Sequence, residues 1–293
     1  MAKLFVDNGA NLTAAMRKRY DIGLISLATI WGGIVRFGDE ITAAQVIEAQ
    51  RNGEKVTTSA PSLGEVKQVL EEAIREGHKE IIVITLPAHS SKTFEVITQA
   101  ASELMEAHKG IRIEVVDGYN VSMAQGFLAL KVAELLEQGA RFDFVADRAR
   151  GLRWNNLLIV ALATPKFAGE GGRVQALKAM IGSLIKLRPT VVVLPNKKPC
   201  TFGSKMTRTT RDAMQRIIDR TKELWRPGAR VAVVYAPDVE ERAKRLVETL
   251  RTELCISENE ETPLVEAAAP LLVHAGYGAI GIALAFDEPV KWV

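Results

Sequence analysis

The stretch that decides the fold is Glu80-Ile-Ile-Val-Ile-Thr-Leu86. Its apolar run is short, continuous and β-branched, without alternation of apolar and polar positions, which marks a strand buried on both faces. A helical pattern over Thr93–His108 follows, then a second buried strand at Ile111–Asp117, then a helix over Ser122–Glu137 stopped by Gly139. Such βαβα alternation argues for a parallel sheet with helices on both faces. Upstream, Lys3–Asp7 and Ile22–Thr29 read as strands and Pro61–Glu76 as a helix. That helix has Ser59 and Ser62 as candidate caps, a Ser62-x-x-Glu65 capping box and Gly77 as its stop. Val66, Val69, Leu70, Ala73 and Ile74 give it an apolar face at helical spacing.

The second half has a different texture. Leu157–Thr164, Val191–Leu194, Arg230–Ala236 and Ile280–Phe286 are strand candidates, with helices near Val174–Leu187, Thr207–Leu224 and Val239–Arg251. A boundary near residues 150–156 follows, although no Pro/Gly/Ser linker marks it, and neither an internal repeat nor a low-complexity segment is present.

Composition narrows the class. The 293 residues are 47% hydrophobic and 25% charged, ordinary values for a soluble globular protein with room for two domains. The opening MAKLFVDNGANLT has no apolar run of signal-peptide length, and no stretch nears the length of a membrane span. Cys200 and Cys255 offer neither a disulfide framework nor a metal-ligand spacing, so no metal is expected and a cytoplasmic location is. The net charge of +3 is uneven: residues 197–230 carry ten basic side chains against Asp212, Asp219 and Glu223. Nucleic-acid binding would use such a cluster. Aromatic interleaving is sparse, however, and Ala213, Met214, Ile217, Ile218 and Leu224 fit one apolar helix face with a solvated basic side opposite.

Near the C-terminus, Gly276-x-Gly278-x-x-Gly281 has the lettering of a dinucleotide-binding turn. That turn needs a following helix, a second strand and a distant acidic residue, whereas only IALAFDEPVKWV follows Gly281. An NAD site is therefore excluded, and no cofactor is expected. Hydroxyls gather instead at two positions, Val56-Thr-Thr-Ser-Ala-Pro61 and Pro87-Ala-His-Ser-Ser-Lys-Thr93, both expected to be loops at helix N-termini that favour an anion. Taken singly, each Ser or Thr is simply a cap; two in adjacent βα units favour a shared anion site. His274 enters the glycine turn, while His78 and His108 are structural and His89 is expected on an exposed loop. Gly169-Glu-Gly-Gly-Arg173 places a guanidinium at a helix start, against the dipole, where it suits a carboxylate or phosphate. There is no phosphate-binding Gly-x-x-x-x-Gly-Lys loop, no His-Glu-x-x-His and no Gly-x-Ser-x-Gly elbow. A serine hydrolase or acyltransferase pairing Ser91 with His274, oriented by Asp7 or Asp117, stays open, as does a binder of another amphipathic anion.

These segments together resemble one family. Thr57-Thr-Ser-Ala-Pro-Ser-Leu-Gly-Glu65 is similar to the TTSQPSPGE-type segment of the DegV family of bacterial lipid-binding proteins, and Ser91-Lys-Thr-Phe94 to its SGTY loop. Val116 to Gly126 resembles its DS-x-x-VSMG-x-G segment, and Gly171-Gly-Arg173 with Gly182 to Pro189 its GGRI and GxLLxIKP run. Arg208-Thr-Thr-Arg-Asp-Ala213 resembles its R-T-x-x-K-A stretch, and His274 to Gly281 its closing H-x-GPGxxG motif. Lys92 stands where the family has glycine, Leu86 to Ser90 replaces its SSxLS-like approach, and Trp31 to Gly38 fits loosely. The resemblance implies an N-terminal α/β domain (1–155) and a C-terminal α+β domain (156–293) whose last strand returns near the interface. A long-chain fatty acid is held between the two. It implies a carboxylate held by Thr57 or Thr58, Ser91 and His274, with Arg173 and Gly276 alongside. It also implies a carrier, not a catalyst, that can present the acid to a fatty acid kinase. Chain burial at about 0.8 kcal/mol per methylene would then carry most of the affinity. Hydrogen bonds to the carboxylate, about 1.5–3 kcal/mol each, would select the head group.

Overall fold

The structure is a computed structural model that describes residues 2–171, 187–195, 205–257 and 260–288. The run at 80–86 forms strand β6 (Glu80–Thr85), buried throughout after Glu80. It lies between β1 (Lys3–Asp7) and β7 (Arg112–Asp117) in a parallel four-stranded sheet of order β2-β1-β6-β7, with β2 at Gly23–Ile25. Helices α3 (Leu63–Arg75) and α4 (Thr93–Ala107) cover one face, packing Val66, Leu70, Ile97 and Leu104 on Ile81 and Val83. Ser62 caps α3 through the expected box with Glu65. The other face is covered by α5 (Met123–Glu137).

The C-terminal sheet has the order β10-β9-β8-β13-β11-β12. Its strands are β8 (Asn156–Ala161), β9 (Arg188–Val193), β10 (Lys205–Thr207), β11 (Arg230–Tyr235), β12 (Leu264–Glu266) and β13 (Ile280–Ala285). All pairings are antiparallel except β11 with β12, and the last strand lies in the middle. Alternation divides its two faces. Leu157, Ile159, Val231, Val233, Ile282 and Leu284 pack under α8 (Thr210–Leu224) and α9 (Glu240–Glu253). Leu158, Val191, Val193, Ala232, Val234 and Ala283 face the opposite way, into the same core as α5. Helix α8 buries Ala213, Ile217 and Ile218 and keeps its charges outside, the solvated-face pattern.

Four departures from the sequence reading have local causes. Ile22–Thr29 is not one strand: Ile25 pairs with Asp7 in the parallel sheet, and Ala28 begins β3 (Ala28–Trp31) of a separate antiparallel sheet, in which β3 lies between β4 (Ile34–Phe37) and β5 (Val56–Ser59). The Asn8 side chain accepts the Leu27 amide at 3.0 Å where the chain bends between them. The threonines at 57–58 are in strand β5 (Val56–Ser59) rather than a loop, because Thr58 pairs with Thr29 and Thr57 with Ile30. Helix α8 begins at Thr210, capped by Thr209, since Lys205–Thr207 pairs with β9. Helices α2 (Ala43–Arg51) and α6 (Phe142–Leu152) went unread, although Thr42 and Gln45 form a capping box before α2. Apart from Leu187, which is not helical, the expected helix at 174–187 lies outside the described residues, and so does Arg173.

Leu128 of α5 is almost wholly buried between the sheets. Leu128→Ala is expected to lower unfolding free energy by about 2–5 kcal/mol, measured by urea denaturation. A loss within the range of an exposed leucine would mean that α5 is not packed on both sides.

Candidate functional site

Between the two sheets lies a cavity of about 200 Å³. Leu158, Val160, Val191, Val193 and Val234 form its wall on the C-terminal sheet, and Leu27, Leu86 and Val121 face them from the N-terminal half. Its polar lining includes Thr58, Ser91 and His274, three of the residues expected from the sequence.

These three come from separate elements. Thr58 projects from β5, and its hydroxyl makes a 2.8 Å hydrogen bond with His274 Nε2. Thr57, next along the strand, points to the other side and does not line the cavity. Ser91 stands before α4; its Oγ lies 2.8 Å from the Thr93 hydroxyl and accepts the Thr93 amide at 3.2 Å. The serine thus holds the first amide of α4 and lines the cavity, although the N-cap position itself is Lys92, which makes no side-chain cap bond.

His274 occupies the last turn of α10 (Ala269–Ala275), and the glycines that follow explain its setting. Gly276 ends the helix at φ +79°, where a Cβ would sit 2.2 Å from the Phe167 ring. Gly278 has φ +69°. The pattern therefore closes a helix and leads into a strand, the reverse of a dinucleotide-binding turn. Gly276 itself lies against Phe167 of α7 (Lys166–Glu170) and not on the cavity surface. The His274 ring is approached by Gly171, where a Cβ would come within 2.5 Å of Nδ1.

Two residues that the sequence reading missed hold this turn. Buried Gln50 of α2 donates to the Leu272 carbonyl at 2.8 Å and accepts the Tyr277 amide at 3.1 Å. Asp238 accepts the Gly278 amide at 2.9 Å and pairs with Arg51 at 2.7 Å. No local pattern signals either contact, because the partners are far apart in the chain.

At the C-terminal edge of the parallel sheet, Asp7 accepts hydrogen bonds from the amides of Leu86 (2.7 Å) and Gly9 (2.9 Å) and from Gln125 (3.2 Å). Burial pushes its carboxyl up to about 7 against these hydrogen bonds, which favour the charged form. Burial likewise raises Asp117, which accepts the amides of Ala88 and Tyr119. His89 is half-buried rather than exposed, with its pKa lowered by burial and raised by the nearby Asp117 charge. Ser91 bonds to Thr93, and Asp7 and Asp117 are taken up by backbone amides; among the described residues no hydrogen bond joins either carboxyl to His274. No cluster of His, Cys, Asp or Glu suited to a metal occurs among the described residues. Nor is any described helix long and apolar enough to cross a membrane.

Comparison with known proteins places this architecture. The sequence profile described as "Uncharacterised protein, DegV family" matches residues 1–287, and the chain belongs to the DegV family. A DegV domain-containing protein of Clostridium perfringens is 24% identical over 98% of this chain and 99% of its own length. Among solved structures, a fatty-acid-binding DegV family protein from Thermus thermophilus is 25% identical. It superposes with a TM-score of 0.82 over 97% of this chain and 99% of that one. DegV of Bacillus subtilis, a fatty-acid-binding protein, is 26% identical with a TM-score of 0.80, covering 98% and 99% of the two chains.

Two outcomes check the geometry. Between about pH 4 and 7 the folded chain keeps a proton on Asp7 that the unfolded chain has lost, so this group's contribution to stability falls as pH rises through that window. Urea titrations across the window should give a flatter profile for Asp7→Asn than for wild type; parallel profiles would place the Asp7 carboxyl in its ordinary range. Gly276→Ala should lower the melting temperature, because both φ and the Phe167 ring oppose a Cβ. Gly64→Ala, inside α3 with open space around it, should raise it slightly. Equal effects would contradict the close approach.

Proposed function

We propose that this chain is a fatty-acid carrier that buries a long acyl chain in the cavity and holds the carboxylate at Thr58, Ser91 and His274. The observation that carries the reading is an apolar cavity between two sheets, with a threonine–histidine hydrogen bond and a serine at the start of a helix on its lining. Membership of the DegV family and similarity to fatty-acid-binding members from two organisms support it. In this reading the ligand lies between an N-terminal unit, residues 1–155, and a C-terminal unit, residues 156–293. Thr58 rather than Thr57 is the threonine that meets the head group, and Gly276 shapes the turn that carries His274; Arg173, which the resemblance also implies, is outside the described residues.

The division of labour follows from the chemistry of the lining. Valine and leucine side chains accept methylenes without directional demands, so chain length sets affinity. The hydroxyls and imidazole have the donors a carboxylate needs. None of the three requires a chemical step, and the chain acts as a binding subunit. A fatty acid kinase would be the partner that phosphorylates the exposed edge of the carboxylate, in the cytosol.

Stearate binding, followed by displacement of a fluorescent fatty acid, tests the head-group assignment. Thr58→Ala, Ser91→Ala and His274→Ala should each weaken binding by about tenfold or more, the value of a hydrogen bond to a charged group. Unchanged affinity in all three would remove the site from this part of the cavity.

A further inference from the structure

Resting on that reading, we propose that Ser122 and the first turn of α5 form a further oxygen-binding position in the cavity, one that takes an oxygen of the ligand's carboxylate. Ser122 lines the cavity and is only 4% exposed. Its hydroxyl oxygen makes no hydrogen bond among the described residues. Interior hydroxyls are nearly always paired, so an unpaired, buried one on a residue that lines a cavity points to what the cavity holds.

The rest of the residue is already committed. Its amide donates to the Gly9 carbonyl at 2.7 Å, and its carbonyl accepts the Gly126 amide at 2.9 Å. Only the hydroxyl remains, and it stands at the start of a fifteen-residue helix with no side-chain cap. The first-turn amides of such a helix are donors without helical acceptors, and the dipole puts its positive end there. A hydroxyl that can donate, beside such amides, suits an anionic oxygen rather than a methylene.

Its place in the fold puts it with the head group. Gln125 in the same turn donates to Asp7, and Asp7 also accepts the amide of Leu86, which opens the loop carrying Ser91. Ser122 and Ser91 therefore lie at the same C-terminal edge of the parallel sheet, fastened through one buried carboxyl. A carboxylate has about four lone-pair sites, enough for Ser122 as well as Thr58, Ser91 and His274.

The test uses Ser122→Gly in the full chain. Ser122 has φ 58° and ψ −151°, a conformation that glycine adopts freely, so removing the hydroxyl this way relieves the backbone and leaves the fold intact. Competition against a fluorescent fatty acid is measured for stearate and for stearyl alcohol. The variant should resist urea at least as well as wild type and bind stearate about tenfold more weakly, with affinity for the alcohol unchanged. Unchanged stearate affinity, or equal losses for acid and alcohol, would overturn the assignment while leaving the carrier function standing. Wild-type protein that binds neither would overturn both.

Discussion

Helix α5 must be covered on every side, and the rest of the structure is arranged to do so. Every residue from Met123 to Leu130 is buried, which is the pattern of a helix inside a core rather than on a surface. One sheet cannot cover such a helix. The parallel sheet presents Ile82, Ile84 and Val116 on one side, and the C-terminal sheet presents Leu158, Ala232 and Ala283 on the other. The two sheets are consequently held about one helix diameter apart, roughly 10 Å. Just before α5 begins, Val121 and Ser122 border the cavity. The binding space is the unfilled part of a layer whose thickness α5 sets.

Around that space the polar groups are held by contacts to the backbone. Gln50 grips both ends of the α10 turn, Asp238 holds the next amide, and Asn11 donates to the Glu266 carbonyl close by. Asp7 does the same for the loop that leads to Ser91. Buried hydrogen bonds of this kind are costly to break without replacement, so they restrict where the head-group side chains can go. In the proposed carrier, specificity for a carboxylate would come from preset donors, and affinity from the methylenes that meet the valines of β8, β9 and β11.

The part of the fold legible in the sequence is the part coded by local pattern. Glu80–Leu86 holds a continuous apolar run from Ile81 to Ile84, and the box at Ser62 and Glu65 names its own helix start. Ile111–Asp117, expected to be buried like it, alternates instead, with Arg112 exposed and Ile113 and Val116 buried, because β7 is an edge strand. The small sheet was illegible because Thr57-Thr58-Ser59 suits a capped loop as well as an edge strand; pairing with β3 decides for the strand. Among site residues, Thr58, Ser91 and His274 stood out through their resemblance to family motifs. Ser122 belongs to the Val116 to Gly126 segment, but nothing in its sequence shows that its hydroxyl has no hydrogen bond among the described residues. Gln50 was beyond reach: its acceptor is 222 residues away, and a glutamine near a helix end looks like any exposed residue until the fold buries it.

The most direct test of a carrier built around this cavity is mass spectrometry of an organic extract from the intact purified protein. The account predicts a fatty acid in near-stoichiometric amount, with a chain length that names the preferred ligand. An empty extract, together with failure of the folded protein to take up added fatty acid, would contradict it and leave the resemblance as one of fold alone.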